Sequence, residues 1–271
     1  MKVPLSITKI KKKEIDIISN SLRTGWLTHG KNNKKFEELF SNYIGSKYAI
    51  SMNSCTSALE CAVKTLKKTG EIIIPSWTWV STANAVLNVK CKPVFADVNL
   101  NTRGITANEI EKKITKKTVA VIVVHFGGLP CEVEEIAKLC RKKNIKLIED
   151  SAETLGGAYK KKYAGSYGIG CFSFFPTKNI TTTEGGMFTT NSKREYEYVS
   201  KLIAHGIKKN YHKPWHREAI LPGHNFRMPN HLAALGIFQL SKVENFNQTR
   251  KKLALKYDNF FLKYPNLFHV Q

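Results

Sequence analysis

At 271 residues, with 42% apolar content, the chain has room for one large domain or one and a half, with a sizeable core. The formal net charge of +22 comes mostly from lysines scattered along the sequence, with no arginine-rich helix and no basic run interleaved with aromatics. That pattern reads as solvated surface rather than a nucleic-acid face. The longest apolar run, residues 119–124, is too short to cross a bilayer.

Six cysteines occur without CxxC spacing, several of them in apolar segments. This suits reduced, buried thiols in the cytoplasm and predicts neither a disulfide framework nor a metal site. Residues 1–16 have no signal-peptide core.

In chain order, residues 11–22 predict an amphipathic helix with Ile15, Ile18 and Leu22 on its inner face. It ends at Thr24-Gly25. A loop, residues 25–30, leads to a second helix over 33–43, with Phe36, Leu39 and Phe40 inward. Residues 48–52 form a short strand. Small polar residues follow, Asn53 to Ser57, opening a helix to Leu66. Such residues serve either as N-caps or as a phosphate cradle at a helix start. A buried strand over 71–74 closes at Pro75, and Trp77 and Trp79 follow it. The helix 82–88 and the strand 93–96 complete another βαβ step, with Asp97 as a turn acid.

The buried strand 119–124 ends in His125, which either lines a pocket or is structural. A helix over 133–143 returns to the apolar run 145–148, which drives into Glu149-Asp150. An acid there sits at the carboxyl edge of a sheet, where α/β folds bind ligands. After a glycine-rich turn comes a strand over 171–174, and then Lys178. An acid and a lysine, each just past a buried strand, suit pyridoxal phosphate (PLP). The lysine forms a Schiff base and the acid keeps the pyridine nitrogen protonated. Ser173 is placed to offer a hydroxyl to the cofactor phosphate. Beyond Gly186 lie a strand over 187–190, a helix over 194–204 and a polar loop over 208–213. One long helix is predicted from Pro229 to about Leu262. Strands alternating with helices at short spacing argue an α/β fold: a mainly parallel sheet with helices on both faces.

Three stretches together, Asp150-Ser-Ala-Glu153, Ser173-Phe-Phe-Pro-Thr-Lys178-Asn179 and Glu184-Gly185-Gly186, resemble the DegT/DnrJ/EryC1/StrS family of sugar aminotransferases. The resemblance runs over residues 4–257. It implies the aspartate aminotransferase-like large domain (residues 1–240), with 241–271 as the helix end and the start of an incomplete C-terminal lobe. It implies PLP as cofactor, held covalently by Lys178. Asp150 would face the ring nitrogen and Glu153 the phenolic oxygen. Trp79 would cover the ring, and Ser173, Thr56 and the Cys55 amide would take the phosphate. Asn225 would reach the phosphate of the neighbouring subunit's cofactor, so a homodimer with shared sites is expected. The implied substrates are a nucleotide-linked keto sugar and an amino-acid donor, glutamate by resemblance.

Three rival readings stand beside this one. A sugar dehydratase of the same family would carry histidine at the lysine position; a regulator or nucleic-acid binder that keeps the fold would be non-catalytic; and a fragment would be inactive. Three departures accompany the resemblance. The turn at residues 167–170 lacks the family's aspartate, Glu153 replaces a glutamine or histidine, and the chain stops at Gln271. The last departure predicts exposed Phe260, Phe261, Leu262 and Leu267, and PLP binding that outlasts sugar binding.

Overall fold

The computed structural model describes residues 8, 10–209 and 215–268. Pro4, residues 210–213 of the polar loop, and Gln271 lie outside them.

Two helices open the chain, α1 (Lys12–Arg23) and α2 (Lys31–Ile44). Gly45 ends α2 in the left-handed region, φ 78°, the usual way a helix stops on glycine. Then come β1 (Tyr48–Met52), α3 (Cys55–Lys64), β2 (Glu71–Pro75), α4 (Val80–Leu87), β3 (Lys92–Ala96), the short α5 (Ala107–Glu111), β4 (Thr118–Val124), α6 (Val133–Lys142) and β5 (Lys146–Asp150). A two-residue ribbon, β6 (Ala158–Tyr159) with β7 (Lys162–Tyr163), precedes β8 (Ile169–Ser173) and β9 (Gly186–Thr190). The rest is α7 (Lys193–Leu202), the ribbon β10 (Ile207–Lys209) with β11 (Arg217–Ala219), α8 (Asn230–Leu240) and α9 (Val243–Phe261).

Seven strands form one sheet in the order β1-β9-β8-β5-β4-β2-β3. Only β9 runs against the rest, pairing antiparallel with both β1 and β8. Both faces are covered, so the central strands carry unbroken apolar runs; all seven residues of β4 are buried. Pro93 is tolerated because β3 is an edge strand. One face packs on α3, α4 and α7 through Leu59, Val86 and Val199. The other packs on α5 and α6 at one end, and on α2 and α8 at the other. There Phe36, Phe40, Phe172 and Phe174 make a buried aromatic cluster, with ring centroids 4.9–6.0 Å apart. Gly236 lets α8 approach, since a Cβ would meet the Phe36 ring at 2.6 Å.

Three features depart from the sequence reading. The predicted long C-terminal helix is two helices, broken at Ser241-Lys242. Helix α1 buries Glu14 and Ser21 while Ile15 and Leu22 are exposed. Its anchor is polar: Glu14 accepts hydrogen bonds from Lys242 and Gln239, which apolar periodicity could not reveal. At the C-terminal end Phe260, Leu262 and Leu267 are exposed as expected, but Phe261 is half-buried among Tyr257, Phe260 and Phe268. No helix among the described residues is long and apolar enough to cross a membrane.

Candidate active site

Strand direction brings the candidate residues together. β5 ends at Asp150 and β8 at Ser173, both at the carboxyl edge of the parallel strands. β9 returns in the opposite direction, so the β8–β9 connection, which carries Lys178, must cross that same edge. β1 ends beside the start of β9, which delivers the first turn of α3 to the same place.

The lysine turn is pinned from several sides. The Lys178 amide donates to Phe175 O at 2.9 Å. Next to it, the Asn179 carbonyl oxygen accepts from the Leu155 amide at 3.4 Å, and its Nδ2 donates to Asn247 of α9 at 3.1 Å. Arg250, also on α9, reaches Lys178 O at 3.5 Å. Lys178 Nζ itself donates to Glu153 at 3.1 Å, and the other Glu153 oxygen accepts from the Gly127 amide at 2.9 Å.

Asp150 is buried, with few donors. Thr82 Oγ1 donates to it at 3.0 Å and the Ala152 amide at 3.2 Å, while the Cys55 sulfur stands 4.0 Å away. Burial pushes its pKa up; the hydrogen bonds from Thr82 and Ala152 and the charge of Lys178 oppose that without cancelling it. Burial likewise holds the Cys55 thiol well above its ordinary value. A buried carboxylate short of donors is poised to receive a cationic partner.

Ser54 caps α3 by accepting from the Ser57 amide at 3.1 Å. Among the described residues no acceptor takes the amides of Cys55 or Thr56, as expected for the first turn of a helix. The Thr56 hydroxyl donates to Ser81 at 3.1 Å. Ser173 pairs in register with Gly186, and a Cβ on Gly186 would lie 2.4–2.5 Å from the Ser54–Cys55 backbone. Glycine there is a packing requirement: it lets β9 touch the start of α3, so that Ser173 and the free amides share one corner.

Trp79 precedes α4 and is 77% exposed; Trp77 meets Phe126 edge-on. Asn225 is exposed and its carbonyl oxygen accepts from Arg227 at 3.3 Å. Within this chain it makes no hydrogen bond to Cys55, Thr56 or Ser173, although the adjacent Phe226 O accepts from the Asn53 amide. His125 proves structural. Its Nδ1 accepts from the Cys131 amide, which leaves Nε2–H to donate to Glu149. Asp97 is a turn acid, accepting from Val98 N and Ser76 Oγ. The turn at 167–170 forms without the missing aspartate because Glu149 accepts from the Tyr167 and Gly168 amides.

Comparison with known proteins decides the family. The profile of the DegT/DnrJ/EryC1/StrS aminotransferase family matches residues 8–271. The chain belongs to that family. It is 34% identical to the spore coat polysaccharide biosynthesis protein SpsC of Bacillus subtilis, covering 98% of this chain and 70% of SpsC. Among solved structures it is similar to PseC of Helicobacter pylori, an aminotransferase involved in the biosynthesis of pseudoaminic acid. The TM-score is 0.90 at 34% identity, over 95% of this chain and 70% of PseC. It is also similar to Spr1654 of Streptococcus pneumoniae, assigned as a sugar aminotransferase and solved in its PLP form. Here the TM-score is 0.91 at 28% identity, over 97% and 72% of the two chains. The fold is thus that of PLP-dependent, aspartate aminotransferase-like enzymes, and the cofactor of this family is PLP.

The donor set fits that cofactor. One corner offers an amine, a donor-poor buried carboxylate, two free amides and a hydroxyl, brought together where β9 packs through Gly186 on the start of α3. Thr82 and Gly127 were not singled out from sequence, and Gly186 entered only as part of the stretch Glu184-Gly185-Gly186, with no role of its own. A threonine buried in the first turn of α4, just past a strand end, was the available signal for Thr82. Gly127 and Gly186 act through their backbones and left no side-chain clue.

Proposed function

We propose that this enzyme moves an amino group from an amino acid, glutamate by family resemblance, to the keto carbon of a nucleotide-linked deoxy sugar. It would do so as a cytoplasmic homodimer. The observation that carries the reading is the meeting of Lys178 and Asp150 at one sheet edge, with Glu153 on the amine and Asp150 kept short of donors. PLP, when bound, supplies an aldehyde that takes up amines and a ring that withdraws electrons from the donor's Cα.

The chain's own residues supply the rest. Lys178 Nζ would hold the cofactor's aldehyde carbon and, when free, would carry the proton from the donor's Cα to that carbon and, on the sugar side, from that carbon to the sugar's keto carbon. Glu153, itself fixed by the Gly127 amide, orients that amine before attachment. Asp150 holds the proton on the ring nitrogen. The Cys55 and Thr56 amides, aided by the α3 dipole, and the Thr56 and Ser173 hydroxyls take the phosphate. Trp79 covers a ring face, and Asn225 serves the neighbouring subunit's site. Lysine at 178, where sugar dehydratases of the family have histidine, favours transfer over dehydration. The net charge of +22 favours an anionic nucleotide-sugar, and two similar proteins take part in the biosynthesis of a spore coat polysaccharide and of pseudoaminic acid.

Borohydride reduction of the PLP-loaded protein, followed by peptide mapping, tests the reading. The pyridoxyl group is expected on Lys178. Label on another lysine, or none, would overturn it.

A further inference from the structure

The amino edge of the same sheet holds a charged cavity. Residues 65–68 and the starts of β4, β5 and β8 form its floor; the end of α6 and the first turns of α7 form its walls. Its volume is about 880 Å³, within the range of small-molecule sites. Five basic side chains line it, Lys67, Lys68, Arg141, Lys146 and Arg194, against one carboxylate, Glu195. Glu195 is already engaged by Lys146 and by the Thr190 hydroxyl. Among the described residues no carboxylate lies within ion-pair distance of Lys67, Lys68, Arg141 or Arg194.

Most of this protein's excess charge is spread over solvated surface, and these five cations are solvent-exposed too, but they gather around one concavity. Here the cations stand on the walls of a concavity whose floor is buried sheet. Low-dielectric walls focus the field of such charges and raise the local concentration of anions. Two arginines add planar forks that match phosphate oxygens. Half-buried Tyr167 and Tyr198 add flat apolar surface, and Lys67 Nζ stands 4.8 Å from the Tyr198 ring centroid. The cavity does not overlap the active site. Asp150 and Ser173 are the last residues of β5 and β8, whereas Lys146 and Ile169, which line the cavity, are the first.

We propose that this cleft is a second ligand site, for a phosphate-bearing anion of nucleotide size. The gathering of its basic side chains around one concavity favours a small anion over a nucleic-acid strand, which follows a stripe of charge. Calorimetric titration of the PLP-loaded enzyme with ADP tests it, comparing wild type with the double variant Arg141→Gln/Arg194→Gln. One saturable ADP site per chain should weaken at least tenfold in the double variant, with aminotransferase turnover and the cofactor's visible spectrum unchanged. Should the double variant fail to fold, each single variant should weaken that site about threefold. ADP binding that is absent, or equal in wild type and variants, would overturn the proposal. A single-stranded RNA oligonucleotide that displaces ADP and binds tenfold tighter would overturn the small-anion assignment.

Discussion

Glu149 and Asp150 are neighbours on one strand, yet they stand in opposite electrostatic regions. Alternation along β5 sends their side chains to opposite faces of the sheet. Glu149 accepts from four N–H groups: the amides of Gly165, Tyr167 and Gly168, at 2.6–2.7 Å, and His125 Nε2 at 3.1 Å. Its carboxylate is saturated, so it fixes the loop entering β8 and has nothing left for a ligand. Asp150, on the other face, has one hydroxyl, one amide and a distant thiol, and burial raises its pKa. Strand-end position makes both acids candidates; the donor count separates a structural acid from a functional one.

The largest expected effect is on stability. Glu149→Gln puts an NH₂ where two buried N–H groups need an acceptor, and His125 cannot compensate because its Nδ1 is committed to Cys131. Leaving such groups unsatisfied costs about 3 kcal/mol or more. Urea unfolding of the cofactor-free variant should show that loss. A loss below about 1 kcal/mol would show that Glu149 is not the anchor of residues 165–168.

Asp150→Asn should do the reverse. The cofactor-free protein should unfold no more easily than wild type, since a donor-poor buried carboxylate is replaced by a neutral group. Turnover should fall about a hundredfold or more, the usual scale for removing a group that stabilises developing charge. Near-normal turnover would mean the wrong acid has been assigned.

The same pair differs in pH dependence. Because the folded-state pKa of Asp150 is raised, its contribution is fully present below the ordinary carboxylate pKa and is lost as pH rises through the folded value. Wild type should therefore gain stability relative to Asp150→Asn as the pH falls into the carboxylate range, with cofactor absent. A difference in unfolding free energy that stays flat between pH 7 and pH 4 would refute the raised pKa.

Much of this architecture was legible before any coordinates. The α/β alternation, the strand-end acids and the lysine segment placed Lys178 and Asp150 on one edge, because short buried strands leave few alternatives. What was illegible came from partners distant in sequence. Glu149 takes its donors from residues 125 and 165–168; α1 is held by Glu14 against Lys242 and Gln239 rather than by its apolar stripe. The reversal of β9 is decided by pairing with β1, more than 130 positions upstream. The break at Ser241-Lys242 falls in a run whose apolar spacing continues on both sides, so periodicity alone reads straight through it.

The smallest effect sharpens the comparison most, because it changes the donors around Asp150 and leaves the acid in place. Thr82 is fully buried; its hydroxyl donates to Asp150 at 3.0 Å and lies 2.8 Å from the Thr78 hydroxyl. Thr82→Val keeps the shape and removes that donor, at about 1 kcal/mol for one hydrogen bond. The pKa of Asp150 should then rise further, and the acid should hold a cationic ring nitrogen less well. The expected outcome is a several-fold weaker affinity for PLP and a kcat reduced less than tenfold, both recovered in Thr82→Ser. If Thr82 only fills space, Thr82→Val should match wild type in cofactor affinity, whereas a loss as deep as that of Asp150→Asn would make the hydroxyl, rather than the number of donors, the controlling feature.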